Sequence, residues 1–113
     1  MTRHLLHCDG KEVRIDEKGY LLNYGDWCES VADFMAAADG LELTSEHWAI
    51  LRWFRTYFEE YEIDPPMRVV VRWCGENLGD QKGSSRFLYR LFPDGPILQA
   101  SRYGGLPRPA SCI

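Results

Sequence analysis

The stretch Thr44-Ser-Glu-His-Trp-Ala-Ile-Leu-Arg-Trp-Phe-Arg-Thr-Tyr-Phe-Glu-Glu-Tyr-Glu62 decides the fold class. Trp48, Leu51, Trp53, Phe54, Tyr57, Phe58 and Tyr61 recur at helical spacing, and that pattern leaves Arg52, Arg55, Glu59 and Glu62 largely outside. Thr44 is a residue type that caps a helix start, because its hydroxyl accepts from a free amide of the first turn. The spacing predicts a helix over roughly 45–62, and Pro65-Pro66 ends it.

Downstream, Pro66 suits the first position of the next helix, which carries Met67, Val70, Val71, Cys74 and Leu78 to a stop at Gly79. Val69-Val70-Val71 alone would suit a strand; the proline start and the later spacing favour helix. Gly83-Ser84-Ser85 caps a short helix through Phe87, Leu88, Leu91 and Phe92, closed by Pro93. A last short helix runs from Ile97 to Tyr103 and ends at Gly104-Gly105. The remainder, Leu106-Pro-Arg-Pro-Ala-Ser-Cys-Ile113, holds two prolines and cannot continue as helix, so residues 104–113 read as a mobile arm with a thiol near its tip.

Upstream, Val31, Phe34, Met35 and Ala38 predict a helix near 29–39, with Gly40 as its C-terminal stop. Before it, Lys11–Ile15 and Tyr20–Leu22 have strand character and flank Asp16-Glu-Lys-Gly19, which predicts a small N-terminal β-hairpin. The expected architecture is one mainly helical α+β domain over 1–113: a hairpin, about five helices and the arm.

Composition agrees with a packed core, at 45% hydrophobic and 13% aromatic residues among 113. No run approaches the ~20 apolar residues of a membrane span, and Met1–His7 lacks a signal-peptide layout, so a cytoplasmic protein without a membrane partner is expected. A monomer is the default. The net charge of −4 argues against a stand-alone nucleic-acid binder, yet it is uneven: residues 1–67 carry −8 and residues 68–113 carry +4.

Chemistry concentrates in the cysteines. Cys8, Cys28, Cys74 and Cys112 form no Cys-x-x-Cys pair, so neither a zinc ribbon nor a dithiol motif is present, and no metal or cofactor is expected. In a reducing compartment all four start as free thiols. Cys28 and Cys74 lie on helical patterns and read as packing; Cys8 is given no role.

Cys112 differs because it lies near a chain end, outside any apolar helix face. An incidental exposed thiol and an intermolecular disulfide stay open for it. Prenylation does not fit, since that signal needs the cysteine fourth from the end. A fixed-site nucleophile needs a base nearby, and His4, His7 and His47 all sit in the first half. A carrier needs only an exposed thiol on a reaching segment, and the eight residues from Gly104 to Cys112 extend to about 26–29 Å.

A free thiol has a pKa near ~8.5; the carboxylate of Ile113 disfavours the thiolate and Arg108 acts in the opposite sense. Docking against Lys82, Arg86 and Arg90, or against a partner's cations, would activate it. Arg86 and Arg90 share a helix face, an arrangement of like charges that suits an anionic contact such as a partner carboxylate, a phosphate, Glu76 or Asp94. Arg68 and Arg72 read as a solvated face. A regulatory module using Arg68, Arg72, Arg86 and Arg90 on phosphates remains the reading from a different class.

Three segments together carry a specific likeness. Ser45–Arg55, Gly83–Pro96 and Gly105–Ile113, with Asp9-Gly-Lys11, resemble the TusE/DsrC family over nearly the whole chain. The resemblance implies a mainly helical fold with an N-terminal hairpin, and a sulfur-carrying cysteine at the penultimate position, here Cys112. It also implies that family members tied to sulfite reductase hold a second arm cysteine at the position where this chain has Ser101. A hydroxyl cannot form a disulfide. The resemblance thus points to the single-cysteine branch: a sulfurtransferase that takes persulfide sulfur from a TusBCD-type donor complex. Its acceptor would be a tRNA 2-thiouridylase, with or without bound tRNA, for wobble-uridine thiolation. A carrier serving another sulfur-oxidation or sensing process is the alternative within the family.

Overall fold

The computed structural model describes residues 4–8 and 11–107, with side chains from residue 12 onward. Its architecture is a two-stranded antiparallel sheet followed by five α-helices, which is the expected class. Strand β1 is His4–Cys8 and β2 is Lys11–Ile15; the helices are α1 Glu29–Ala38, α2 Ser45–Tyr61, α3 Met67–Asn77, α4 Ser85–Leu91 and α5 Pro96–Tyr103.

The hairpin is present, but its partner strand differs from the expected one. Residues Lys11–Ile15 pair with His4–Cys8, with His4 opposite Ile15 and Cys8 opposite Lys11. Tyr20–Leu22 contributes a single bridge, Ile15 to Leu21. The reason lies in the loop between them. The Asp16 carboxylate accepts from the amides of Lys18 (2.8 Å) and Tyr20 (2.9 Å), and Gly19 sits at φ +89°. The side chain consumes donors that a ladder would need. The Asp16 turn therefore folds the chain back without extending the sheet.

Helix starts follow the expected caps. Thr44 Oγ1 accepts from the His47 amide, and the His47 ring returns the favour by accepting at Nδ1 from the Thr44 amide at 3.0 Å. That is a reciprocal capping box with histidine in the usual glutamate position. The other ring nitrogen, Nε2, then carries the proton and donates to the Leu91 carbonyl at 2.7 Å, tying α2 to the end of α4. Ser84 caps α4 by accepting from the Phe87 amide at 3.2 Å, and Pro66 precedes α3.

Ile50, Leu51 and Phe54 of α2 are fully buried and form the middle of the core with Val70, Cys74, Leu88, Phe92 and Tyr103. In α1 the buried residues are Val31, Ala32, Met35 and Ala36, so the inward face is rotated from the expected one. Phe34 is exposed. Two alanines pack where a larger side chain would hold α1 away, and contacts with both α5 and β1 show why that face is closed. Among the described residues, no helix is long and apolar enough to cross a membrane.

Candidate functional site: the root of the C-terminal arm

Helix α5 ends in a pair of crossed hydrogen bonds. The Gly105 amide donates to the Arg102 carbonyl (3.1 Å) and the Leu106 amide to the Ser101 carbonyl (2.9 Å), with Gly105 at φ +77°. This is a Schellman stop, and its apolar residue, Leu106, is fully buried. The Gly104 amide takes the Ala100 carbonyl at 2.9 Å.

Two carbonyls remain, and side chains from elsewhere take both. The Trp27 indole Nε1 donates to the Tyr103 carbonyl at 2.7 Å, and Arg55 Nη1 donates to the Gly104 carbonyl at 2.8 Å. Every carbonyl from residue 100 to 104 thus has a donor, a full accounting for a helix end. Arg55 is held in turn by two rings, its guanidinium carbon lying 4.0 Å from the Tyr24 ring centre and 4.5 Å from that of Trp27. The Tyr24 hydroxyl donates to the Glu59 carboxylate at 2.8 Å. Burial and that bond push the Tyr24 pKa up to about 12, so it stays a donor at any ordinary pH. Burial lowers the Arg55 pKa, against the opposing pull of Tyr24 and Glu59.

This arginine is half-buried, where the helical pattern places it outside. A charged residue one turn from Leu51 scores as surface in a helical pattern, and nothing in the linear spacing shows that Tyr24 and Trp27 fold over it.

Ser101 is fully buried on α5, and its hydroxyl donates to the Asp64 carboxylate. Desolvation raises the Asp64 pKa, with the Ser101 bond pulling the other way. Close by, Arg102 pairs with Asp39, and the buried Tyr103 hydroxyl also donates to Asp39 while accepting from Gln99 Nε2 at 3.1 Å. These contacts join α5 to the end of α1.

The expected basic residues are not gathered at this root. Arg86 and Arg90 are exposed on α4 and make no ion pair with a described residue, so the suggested Glu76 and Asp94 contacts are absent among the described residues. Lys82 is paired with Glu46 at the start of α2. Arg55 lies nine residues further along that helix, roughly 13 Å at 1.5 Å per residue. Arg68 and Arg72 are exposed on α3, as a solvated face requires. Arg108 and Cys112 lie outside the described residues.

Of the other cysteines, Cys74 is a fully buried free thiol, and burial followed by the nearby Glu46 charge lifts its pKa to about 11. The packing reading holds for it. Cys28 departs from the free-thiol expectation: it is half-buried at the N-cap of α1, packs on the core and is disulfide-bonded. An open cavity of about 380 Å³ beside it is lined by Trp27, Cys28, Glu29 and Ser30.

The family model described as DsrC like protein matches residues 7–113. This chain belongs to the DsrC-like family. The sulfurtransferase TusE of Salmonella paratyphi A is 42% identical over 109 residues, covering 96% of this chain and all of that protein. The sulfurtransferase TusE of Yersinia pestis is 40% identical with the same coverage. Among solved structures, DsrC of Allochromatium vinosum superposes with a TM-score of 0.87 at 49% identity, covering 99% of this chain and 100% of that one. The oxidised DsrC, the gamma-subunit of dissimilatory sulfite reductase, of Archaeoglobus fulgidus gives 0.86 at 37% identity, covering 97% and 100%. Identity is thus shared between relatives bearing both names, so the percentages do not choose between them.

Proposed function

We propose that this chain is a sulfurtransferase of the relay type, which carries sulfur as a persulfide on Cys112. The observation that carries the reading is the state of Ser101. In the position where the family resemblance implies a second arm cysteine, this chain has a buried hydroxyl bonded to Asp64, on α5 rather than beyond it. Cys112 is then the one thiol that follows the helical body in sequence.

Single-thiol relay chemistry balances without an oxidant. The Cys112 thiolate attacks the outer sulfur of a donor persulfide; the donor's inner sulfur leaves as thiolate and takes up the proton. Delivery repeats the step with roles exchanged. The acceptor thiolate attacks the outer sulfur, and Cys112 leaves as the thiolate. Cationic surroundings favour both thiolates, and exposed Arg86 and Arg90, together with Lys82 and Arg108, are the groups of this chain offered for that task or for contact with a partner.

In its cellular setting the donor would be a TusBCD-type complex and the acceptor a tRNA 2-thiouridylase acting on the wobble uridine, with the carrier a cytoplasmic monomer. The name of the TusE relatives supports a sulfurtransferase role, and the preference for this setting over sulfur oxidation or sensing rests on Ser101, which leaves Cys112 without a second arm cysteine.

The test is intact mass of the reduced, desalted protein after incubation with a cysteine desulfurase and cysteine. Wild type should gain about 32 Da per sulfur, removable by dithiothreitol, and Cys112→Ser should not. Equal gains in both, or a gain in neither while a thiol-containing control protein is loaded, would refute the assignment. The acceptor is tested by adding a tRNA thiouridylase and measuring 2-thiouridine in the nucleoside digest.

A further inference from the structure

Trp27 and Arg55 use the only polar hydrogens of an indole and part of a guanidinium on two backbone carbonyls, those of Tyr103 and Gly104. Neither carbonyl needed burial-matched partners to end the helix, because the Schellman bonds had already stopped it at Ala100, Ser101 and Arg102. What the two extra bonds fix is the direction in which the chain leaves the body. Gly105 adds a third restraint, lying so close to Trp27 that a Cβ on it would fall 2.5 Å from the ring Cδ1. Tyr24 completes the stack on Arg55 and is anchored by Glu59.

We propose that Trp27 and Arg55 are positioning residues for sulfur transfer, clamping the root of the C-terminal segment so that Cys112 enters a partner's site from a fixed origin. The proposal rests on the carrier reading. A thiol on a tether searches a volume set by the tether and by the freedom of its base. Fixing the base lowers the orientational entropy lost when the tip docks, without touching the sulfur chemistry. Loosening the clamp should therefore weaken productive encounter with a protein partner and leave reaction with a small persulfide unchanged.

Two conservative variants separate these effects. Trp27→Phe keeps an aromatic ring against Gly105 and removes the indole N–H; Arg55→Lys keeps the charge and removes the planar stack between Tyr24 and Trp27. Each is assayed twice for Cys112 persulfide formation: with glutathione persulfide, and with a persulfide-loaded protein donor over a range of carrier concentrations. We expect small-molecule loading within twofold of wild type. With the protein donor, kcat/KM should fall about tenfold, chiefly through KM. Val70→Ala, a core change away from the root, serves as the control for mere loss of stability, and it should leave both rates alone at temperatures where it is folded.

Protein-donor transfer at the wild-type KM in both variants would overturn the clamp. So would an equal loss in both assays, or the same split in Val70→Ala. If wild type itself gains no sulfur at Cys112 from either donor, the carrier reading has failed and the clamp's role falls with it.

Discussion

Gly105→Ala is the sharpest single test of the packing at the arm root. Gly105 sits at φ +77°, and an alanine there pays about 1–2 kcal/mol for the left-handed conformation. The added Cβ would lie 2.5, 2.9 and 3.0 Å from Cδ1, Cγ and Cβ of Trp27, so the ring must move or the backbone must shift. Forcing an extra methyl into a packed site costs about 1–3 kcal/mol. The total is about 2–5 kcal/mol. For a domain of this size that lowers the thermal midpoint by roughly 8–20 °C, at about 4 °C per kcal/mol. A double-mutant cycle divides the cost, since in a Trp27→Ala background the overlap disappears and only the conformational part remains. Urea unfolding of the four proteins, followed by far-UV circular dichroism so that loss of Trp27 does not alter the probe, gives the coupling. It should be about 1–3 kcal/mol. A coupling within ~0.5 kcal/mol of zero would show that Trp27 does not press on Gly105, and the geometry of the root would be wrong.

The remaining predictions concern the body. Cys74 should resist N-ethylmaleimide in the native protein even at pH 9 and react on unfolding in urea, because its pKa is raised to about 11 and it is fully buried; native labelling at this residue, mapped by peptide mass, would contradict that. Asp64 has a raised pKa, so its protonated form is the one the fold favours. The stability it lends is fully present below the unfolded-state pKa and is lost as pH rises through the folded value. Wild type measured against Asp64→Asn in urea should therefore lose relative stability from acid toward neutral pH, and a trend of opposite sign would refute the desolvation argument. His47→Leu strips the part-buried Thr44 amide and the buried Leu91 carbonyl of a partner each; at about 1–3 kcal/mol per unpaired group it should cost roughly 2–6 kcal/mol by urea unfolding, whereas a loss below ~1 kcal/mol would mean water replaces the imidazole.

Local signals made the helical body legible. Thr44 and Ser84 mark helix starts by accepting from first-turn amides, and Pro66, at the N-cap of α3, marks one by its fixed φ; neither effect depends on the rest of the fold. Gly40 and Gly105 mark two ends for the same reason, both at φ +77°. The hairpin was read one strand out of place. Asp9-Gly10, two residues that separate β1 from β2, is a strong hairpin signal, but the Gly19 turn competed with it. Only the Asp16 side chain, which captures two amides, shows that the second turn is a closed loop rather than a strand connection.

The arm root was half legible. Its glycines and prolines mark where helix α5 stops, but the expected arm over 104–113 takes in Gly104, Gly105 and Leu106, which are buried in the body. The clamp was not legible. Trp27 and Arg55 lie 76 and 49 residues from the carbonyls they hold, and an arginine sandwiched between rings carries the same letter as one in water. His47 was missed in another way. Its distance in sequence from Cys112 argues only against a base, while its two ring nitrogens serve a cap and a helix-to-helix bond.

The hydrogen bonding at the root also predicts how separable the arm is from the body. Carbonyls 100–104 are all satisfied by donors at or before residue 106, and Leu106 is itself fully buried. Nothing in this accounting calls on a residue past Pro107. A chain ending at Pro107 should then unfold at the same temperature as the full chain, within about 2 °C, when both are held reduced so that the disulfide of Cys28 makes no contribution. The same truncation should abolish persulfide loading completely, because it removes the proposed sulfur-bearing thiol. Differential scanning calorimetry and intact mass read the two properties independently. A drop of more than about 5 °C, roughly 1 kcal/mol, would mean that the last six residues pack on the body and stabilise it. Transfer would then require those contacts to be broken before Cys112 could reach a partner, and the free energy of release would add directly to the barrier for every round of sulfur delivery.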